Sequence, residues 1–179
     1  MNTTEDGQPV VHHPPVTRDE VVVGIDESPA AAAALRWAAG YSRATGLPLR
    51  LVRTWQVSVL ASAAATSGAA EYREAAAADA RARATRWVLD TLGGDVANVR
   101  WTLEVHEGGA GPVLVAVSRG AQLVVVGTGE HTGLRRAVTG SVSHHVLSHA
   151  DVPVVAVPAA VARPLDAGGR HAVAIGPLY

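Results

Sequence analysis

The chain has no cysteine, no lysine, no phenylalanine and a single methionine. Without cysteine there are no disulfides, no thiolate nucleophile and no cysteine-ligated zinc, and the redox compartment cannot be read from thiols. Without lysine there is no Walker phosphate loop and no Schiff-base amine. All fifteen basic residues are arginines, spread along the chain against sixteen acidic ones. That balance leaves no basic patch for nucleic acid or an anionic membrane surface. No apolar run approaches the roughly 20 residues needed to cross a bilayer. The first residues carry neither a basic segment nor an apolar core, so a signal peptide is not expected and the default compartment is cytoplasmic.

What is present is alanine and valine. Alanine-rich helices on a valine-rich sheet fit this profile, and the length suits one domain of about 140 residues with polar ends. Residues 1–19 hold Pro9, Pro14, Pro15 and His12-His13 with little to bury, and are expected to be a disordered arm. Residues 20–158 form the domain. Val57 to Ala70, rich in Ala, Ser and Thr, is expected to be a mobile connection. Residues 159–179 read as a tail.

Within the domain, apolar runs alternate with helical patterns. Glu20 to Asp26 reads as a first strand. Ser28-Pro29 then supplies an N-cap and a proline at the first helical position. Ala31, Leu35, Ala38 and Ser42 mark the inner face of a helix that Gly46 and Pro48 stop. Leu49 to Gln56 is a second strand, with Leu49 and Leu51 on one face. A helix from Glu71 carries Ala76, Ala80, Ala84 and Val88 inward, leaves Arg81, Arg83 and Arg86 to solvent, and stops at Gly93-Gly94. Val99 to His106 is a third strand, followed by the glycine-rich turn 107–111 and a helix through Leu114 and Val117. Leu123 to Val126 is a fourth, Ser141 to His149 a helix, and Pro153 to Val157 a fifth strand. Strands that alternate with helices form a parallel sheet with right-handed crossovers. Asp26, the 107–111 turn and the 127–140 loop all follow strand ends, so they meet at the rim where such sheets bind ligands. A glycine-rich loop that opens a helix gathers backbone N–H groups and the helix dipole at one spot, which suits phosphate.

Three segments together, Val-Val-Val-Gly-Ile-Asp-Glu-Ser-Pro29, Val-Val-Val-Gly127 and Gly-Ser-Val-Ser143 with His-Ala-Asp-Val-Pro-Val-Val-Ala-Val157, resemble the universal stress protein family over residues 20–158. The resemblance implies an α/β, flavodoxin-like (Rossmann-like) three-layer sandwich whose five-stranded parallel sheet has the order 3-2-1-4-5. It also implies a homodimer through Val152–Val157, a role in stress response, and binding of ATP or a related adenine nucleotide with Mg²⁺.

ATP-binding members carry glycine, two residues, glycine, nine residues, then glycine and serine or threonine. Here Gly127 fills the first position, Gly140 the third and Ser141 the hydroxyl position; the second falls on Glu130. Either Gly129 supplies the freedom and Glu130 points to solvent, or the member has lost the site. A carboxylate ~6 Å from a phosphate charge costs on the order of 3 kcal/mol at a dielectric of ~20, which Arg135 and Arg136 could offset. The resemblance places Asp26 near adenine or ribose, with a turn carboxylate as the plainer alternative. It places the Thr54 backbone beside adenine, and Val142 and Ser143 on phosphate.

His145 and His149 have the spacing of paired metal ligands but no partnering acid, which favours a surface or packing role. No catalytic constellation and no metal site emerge. The leading expectation is therefore a nucleotide-binding regulatory module. The alternatives are a nucleotide-independent dimeric interaction protein of the same fold and, more remotely, a slow ATPase.

Overall fold

A computed structural model describes residues 19–56, 69–129 and 140–159. The elements are β1 (Val21–Ile25), α1 (Pro29–Thr45), β2 (Leu49–Trp55), α2 (Ala69–Leu92), a 3₁₀ segment (Gly93–Asn98), β3 (Trp101–Glu107), α3 (Ala110–Val117), β4 (Leu123–Thr128), α4 (Ser141–His149) and β5 (Val154–Pro158). The five strands are ordered β3-β2-β1-β4-β5 and pair in parallel throughout. This is the expected flavodoxin-like sandwich.

The two faces of the sheet build two cores. Val21, Val23, Ile25, Leu49, Leu51 and Val125 face α1 and α2, meeting Ala34, Leu35, Ala38, Ala84 and Val88. Val22, Val52, Val124 and Val126 face the other way, against Leu114, Val117 and Val146 of α3 and α4. β1 and β4 are thus buried on both sides, which is why they read as apolar runs. Each fully buried Val or Leu contributes about 1.5–3 kcal/mol relative to exposure.

Local chemistry sets the element ends. Ser28 Oγ accepts from Ala31 N at 3.1 Å, Pro29 follows, and Gly46 closes α1 at φ 76° with its N–H on Ser42 O. The buried Ser42 hydroxyl donates to Leu47 O at 2.6 Å, so no polar group is orphaned there. Several boundaries differ from the pattern reading, among them the fourth strand, which runs past Val126 through Gly127 to Thr128. The second helix begins at Ala69, two residues earlier, because alanines continue it at no steric cost. The third strand starts at Trp101, because the chain after Leu92 coils into the 3₁₀ segment and Val99 N closes it on Val96 O. The expected arm and tail lie outside the described residues, apart from Asp19 and Ala159. So do residues 57–68 of the expected connection and Glu130, Arg135 and Arg136.

A buried charge cluster was not anticipated. Arg50, 6% exposed, pairs with Glu20 at 2.9 Å and Glu104 at 3.7 Å, and donates to the Val117 carbonyl at the end of α3. Glu104 also meets His106 Nε2 at 2.8 Å. Burial pushes the Glu20 carboxyl above its ordinary range; Arg50 opposes that rise and Glu104 adds to it.

Candidate functional site

The site lies at the carboxyl ends of β1, β2 and β4. The connection from β1 runs to β2 on one side and that from β4 to β5 on the other, so the strand order reverses between β1 and β4. A crevice opens where the crossovers diverge.

Two adjoining cavities occupy this crevice. The inner one is a narrow slot of about 70 Å³ whose wall includes Gly24, Asp26, Val52, Thr54, Gly127 and Val142. Among the described lining residues the side chains other than those of Asp26 and Thr54 are apolar, Leu114 and Val126 included. The outer one is a cleft of about 660 Å³, within the size range of small-molecule sites. Thr54, Ala110 and Val142 line both.

Asp26, just past β1, and Thr54 of β2 are therefore brought together with Gly127 of β4 and Val142 of α4. Ser141 joins them through the cleft. Asp26 is exposed, and one of its oxygens accepts from Ser28 N at 3.1 Å. The turn role and a place on the slot are thus held by one carboxylate. Next to it Glu27 adopts φ 65°, a left-handed backbone uncommon for a non-glycine residue, with Oε1 3.7 Å from Arg53 Nη2. Strain of this kind gathers at functional rims.

Gly140 is the N-cap of α4, extended and without a side-chain cap, and neither cavity is lined by it. Within an α-helix the first-turn amides, here Ser141, Val142 and Ser143, have no acceptor of their own. The Ser143 side chain, 1% exposed, donates to Gly140 O at 3.0 Å and faces the core rather than either cavity. Gly127 meets the start of α1 so closely that a Cβ would fall 2.4 Å from Ala30 C.

The 107–111 turn, expected at the rim, lines the cleft through Gly108 to Gly111, whereas three other lining residues, Arg53, Arg83 and His145, are not singled out for the site by the pattern. Arg83 is exposed, as the pattern places it, and it also borders the cleft one turn after inward-facing Ala80. His145 packs its ring 2.8 Å from where a Gly111 Cβ would be and stacks on His149 at 4.3 Å, the packing role expected of that pair. No group of three or more potential metal ligands occurs among the described residues.

Comparison with known proteins decides the lineage. The pattern of the Universal stress protein family matches residues 17–158. The chain belongs to that family. A universal stress protein of Mycolicibacterium smegmatis is 32% identical over 139 residues, covering 76% of this chain and 47% of the relative, so the chain spans about half its length. Among solved universal stress proteins, the one from Archaeoglobus fulgidus in complex with dAMP superposes with a TM-score of 0.52 at 17% identity, over 77% of this chain and 96% of its own. The UspA protein of Lactobacillus plantarum gives 0.54 at 19% identity, over 79% and 99%. At such identities these likenesses show the shared fold. Among the described residues no helix is long and apolar enough to cross a membrane.

Proposed function

We propose that this chain is a cytoplasmic stress-response module that binds an adenine nucleotide, ATP with Mg²⁺, and acts by binding rather than turnover. The observation that carries the reading is the shared slot: Asp26, Thr54, Gly127 and Val142 come from four elements yet line one cavity. Its apolar walls suit one edge of a planar base whose remainder lies in the adjoining cleft, and the Asp26 carboxylate suits the hydroxyls of a ribose. The free amides at the start of α4 and the Ser141 hydroxyl suit phosphate. Magnesium would arrive on the phosphates, where it neutralises charge. The dAMP complex of the Archaeoglobus fulgidus family member supports an adenine nucleotide as the ligand class.

In this reading two copies pair along β5, whose outer edge has no neighbour among the described strands. Sedimentation of a dimer tests that part; a monomer at high concentration contradicts it.

One observation favours the second reading, a nucleotide-independent interaction protein. Gly127 is already required by its approach to Ala30, so its presence does not demand a ligand. Titration calorimetry with MgATP on the chain and on Glu130→Gly separates the two. Binding by the unmodified chain supports the first. Binding only by the variant supports the second, and silence in both discards the nucleotide. Phosphate release at saturating ATP tests the slow-ATPase alternative.

A further inference from the structure

The outer cleft is larger than the slot requires. Among its fourteen described lining residues two are arginines, one is a histidine and none is acidic. Arg53 reaches it from the end of β2 and Arg83 from α2, on the side of the cleft away from α4. Asp26 belongs to the slot and not to this lining.

Neither arginine is fully committed elsewhere. A guanidinium has five N–H donors. Arg53 Nη1 donates to Thr54 O at 3.1 Å, while Nη2 stands 3.7 Å from Glu27 Oε1, an ion-pair distance too long for a hydrogen bond, which leaves Nη2 with donors to spare. Arg83 pairs with Asp79 at 3.0 Å on the exposed surface of α2, with both side chains more than half exposed, so water screens that pair. Planar guanidinium groups with donors to spare bind phosphoryl oxygens in a fixed, two-pronged geometry.

We propose that Arg53 and Arg83 form a second anion subsite, across the cleft from α4, that takes a phosphoryl group. On the nucleotide reading above, the ligand that fills both places is an adenine nucleotide with a second phosphoryl group apart from the first. The subsite itself rests on the cleft lining and needs no base in the slot. Gln56 and the half-buried Trp55 border it, and Trp55 provides a local probe.

The test uses the full chain and Arg83→Gln, an exposed helix position whose change should leave the circular dichroism spectrum unaltered. Three probes are titrated by calorimetry: AMP, adenosine 3′,5′-bisphosphate and inorganic pyrophosphate. The expected result is at least tenfold tighter binding of the bisphosphate than of AMP, with that gain and pyrophosphate binding both lost in Arg83→Gln. AMP affinity should change less than twofold between the two proteins. If AMP binds but the bisphosphate gains nothing and pyrophosphate is silent, the subsite is wrong and the nucleotide reading stands. If pyrophosphate binds through Arg83 while AMP does not, the subsite stands and the nucleotide reading falls. Equal weakening of all three probes by Arg83→Gln overturns the subsite, since that is a general charge effect.

Discussion

Gly127 at the end of β4 sits against Ala30 in the first turn of α1, with room for a hydrogen but not for a methyl group. A Cβ there would stand 2.4 Å from Ala30 C and 2.5 Å from Ala30 O, both backbone atoms that cannot swing aside. Gly127→Ala is therefore expected to lower stability by about 1–3 kcal/mol, as overpacking does. Urea unfolding without nucleotide checks this; an unchanged midpoint would show that the glycine serves only a ligand.

Arg50 ties β2 to Glu20 before β1, to Glu104 on β3 and to the end of α3. Its side chain is 7% exposed, so Arg50→Ala leaves two carboxylates without their partner in a poorly hydrated place. The expected loss is about 3–5 kcal/mol. Thermal or urea unfolding measures it, and a loss below 1 kcal/mol would mean water reaches the cluster.

Glu20 gives the cluster a pH signature. Its carboxyl titrates near 4.5 when unfolded, and burial pushes it higher in the fold, against the pull of Arg50. Between those two values the folded state holds more protons than the unfolded one. The contribution is thus complete below pH 4.5 and is lost as pH rises through the folded value. Glu104 also lies beside Arg50 and contacts His106, so the comparison must isolate Glu20. The stability of the unmodified chain relative to Glu20→Gln should fall as pH rises from 4 toward neutrality, read by urea unfolding at each pH. A relative gain over that interval would mean that Arg50 outweighs burial.

Asp26 holds Ser28 N with one oxygen, and asparagine can accept the same bond. Asp26→Asn should keep stability within about 0.5 kcal/mol. It should weaken adenine-nucleotide binding roughly five- to tenfold, because a charged acceptor to the ligand becomes a neutral one. Calorimetry and unfolding on one preparation read both numbers; lost stability with intact binding would make Asp26 a turn residue alone.

Much of this fold is written locally. Ser28-Pro29, Gly46 and the valine runs announce their elements because caps, left-handed turns and two-sided burial act on neighbouring residues. The sheet order was implied by family resemblance, since periodicity says which segments are strands and not which strands adjoin. Arg50 was passed over because alternation with Leu49 and Leu51 assigns it only a face. Its burial depends on Glu20, Glu104 and Val117, which the sequence keeps far apart. The slot is partly legible, as Asp26 follows one strand and Gly127 lies near the end of another. The cleft was less so: Arg53, Arg83 and His145 come from three elements that only the folded chain brings together. For Ser143 the resemblance implies a phosphate contact; its buried hydroxyl is bonded to Gly140 O, which leaves its amide for that role.

The account turns on whether the slot between β1, β2, β4 and α4 receives the base. The direct measurement is a two-dimensional amide NMR titration of the full chain with MgATP. Shifts should concentrate at Gly24, Asp26, Thr54, Gly127, Ser141 and Val142 and saturate together at one affinity. Saturable shifts confined to β5 or the outer face of α2, with these six amides unmoved, would contradict it.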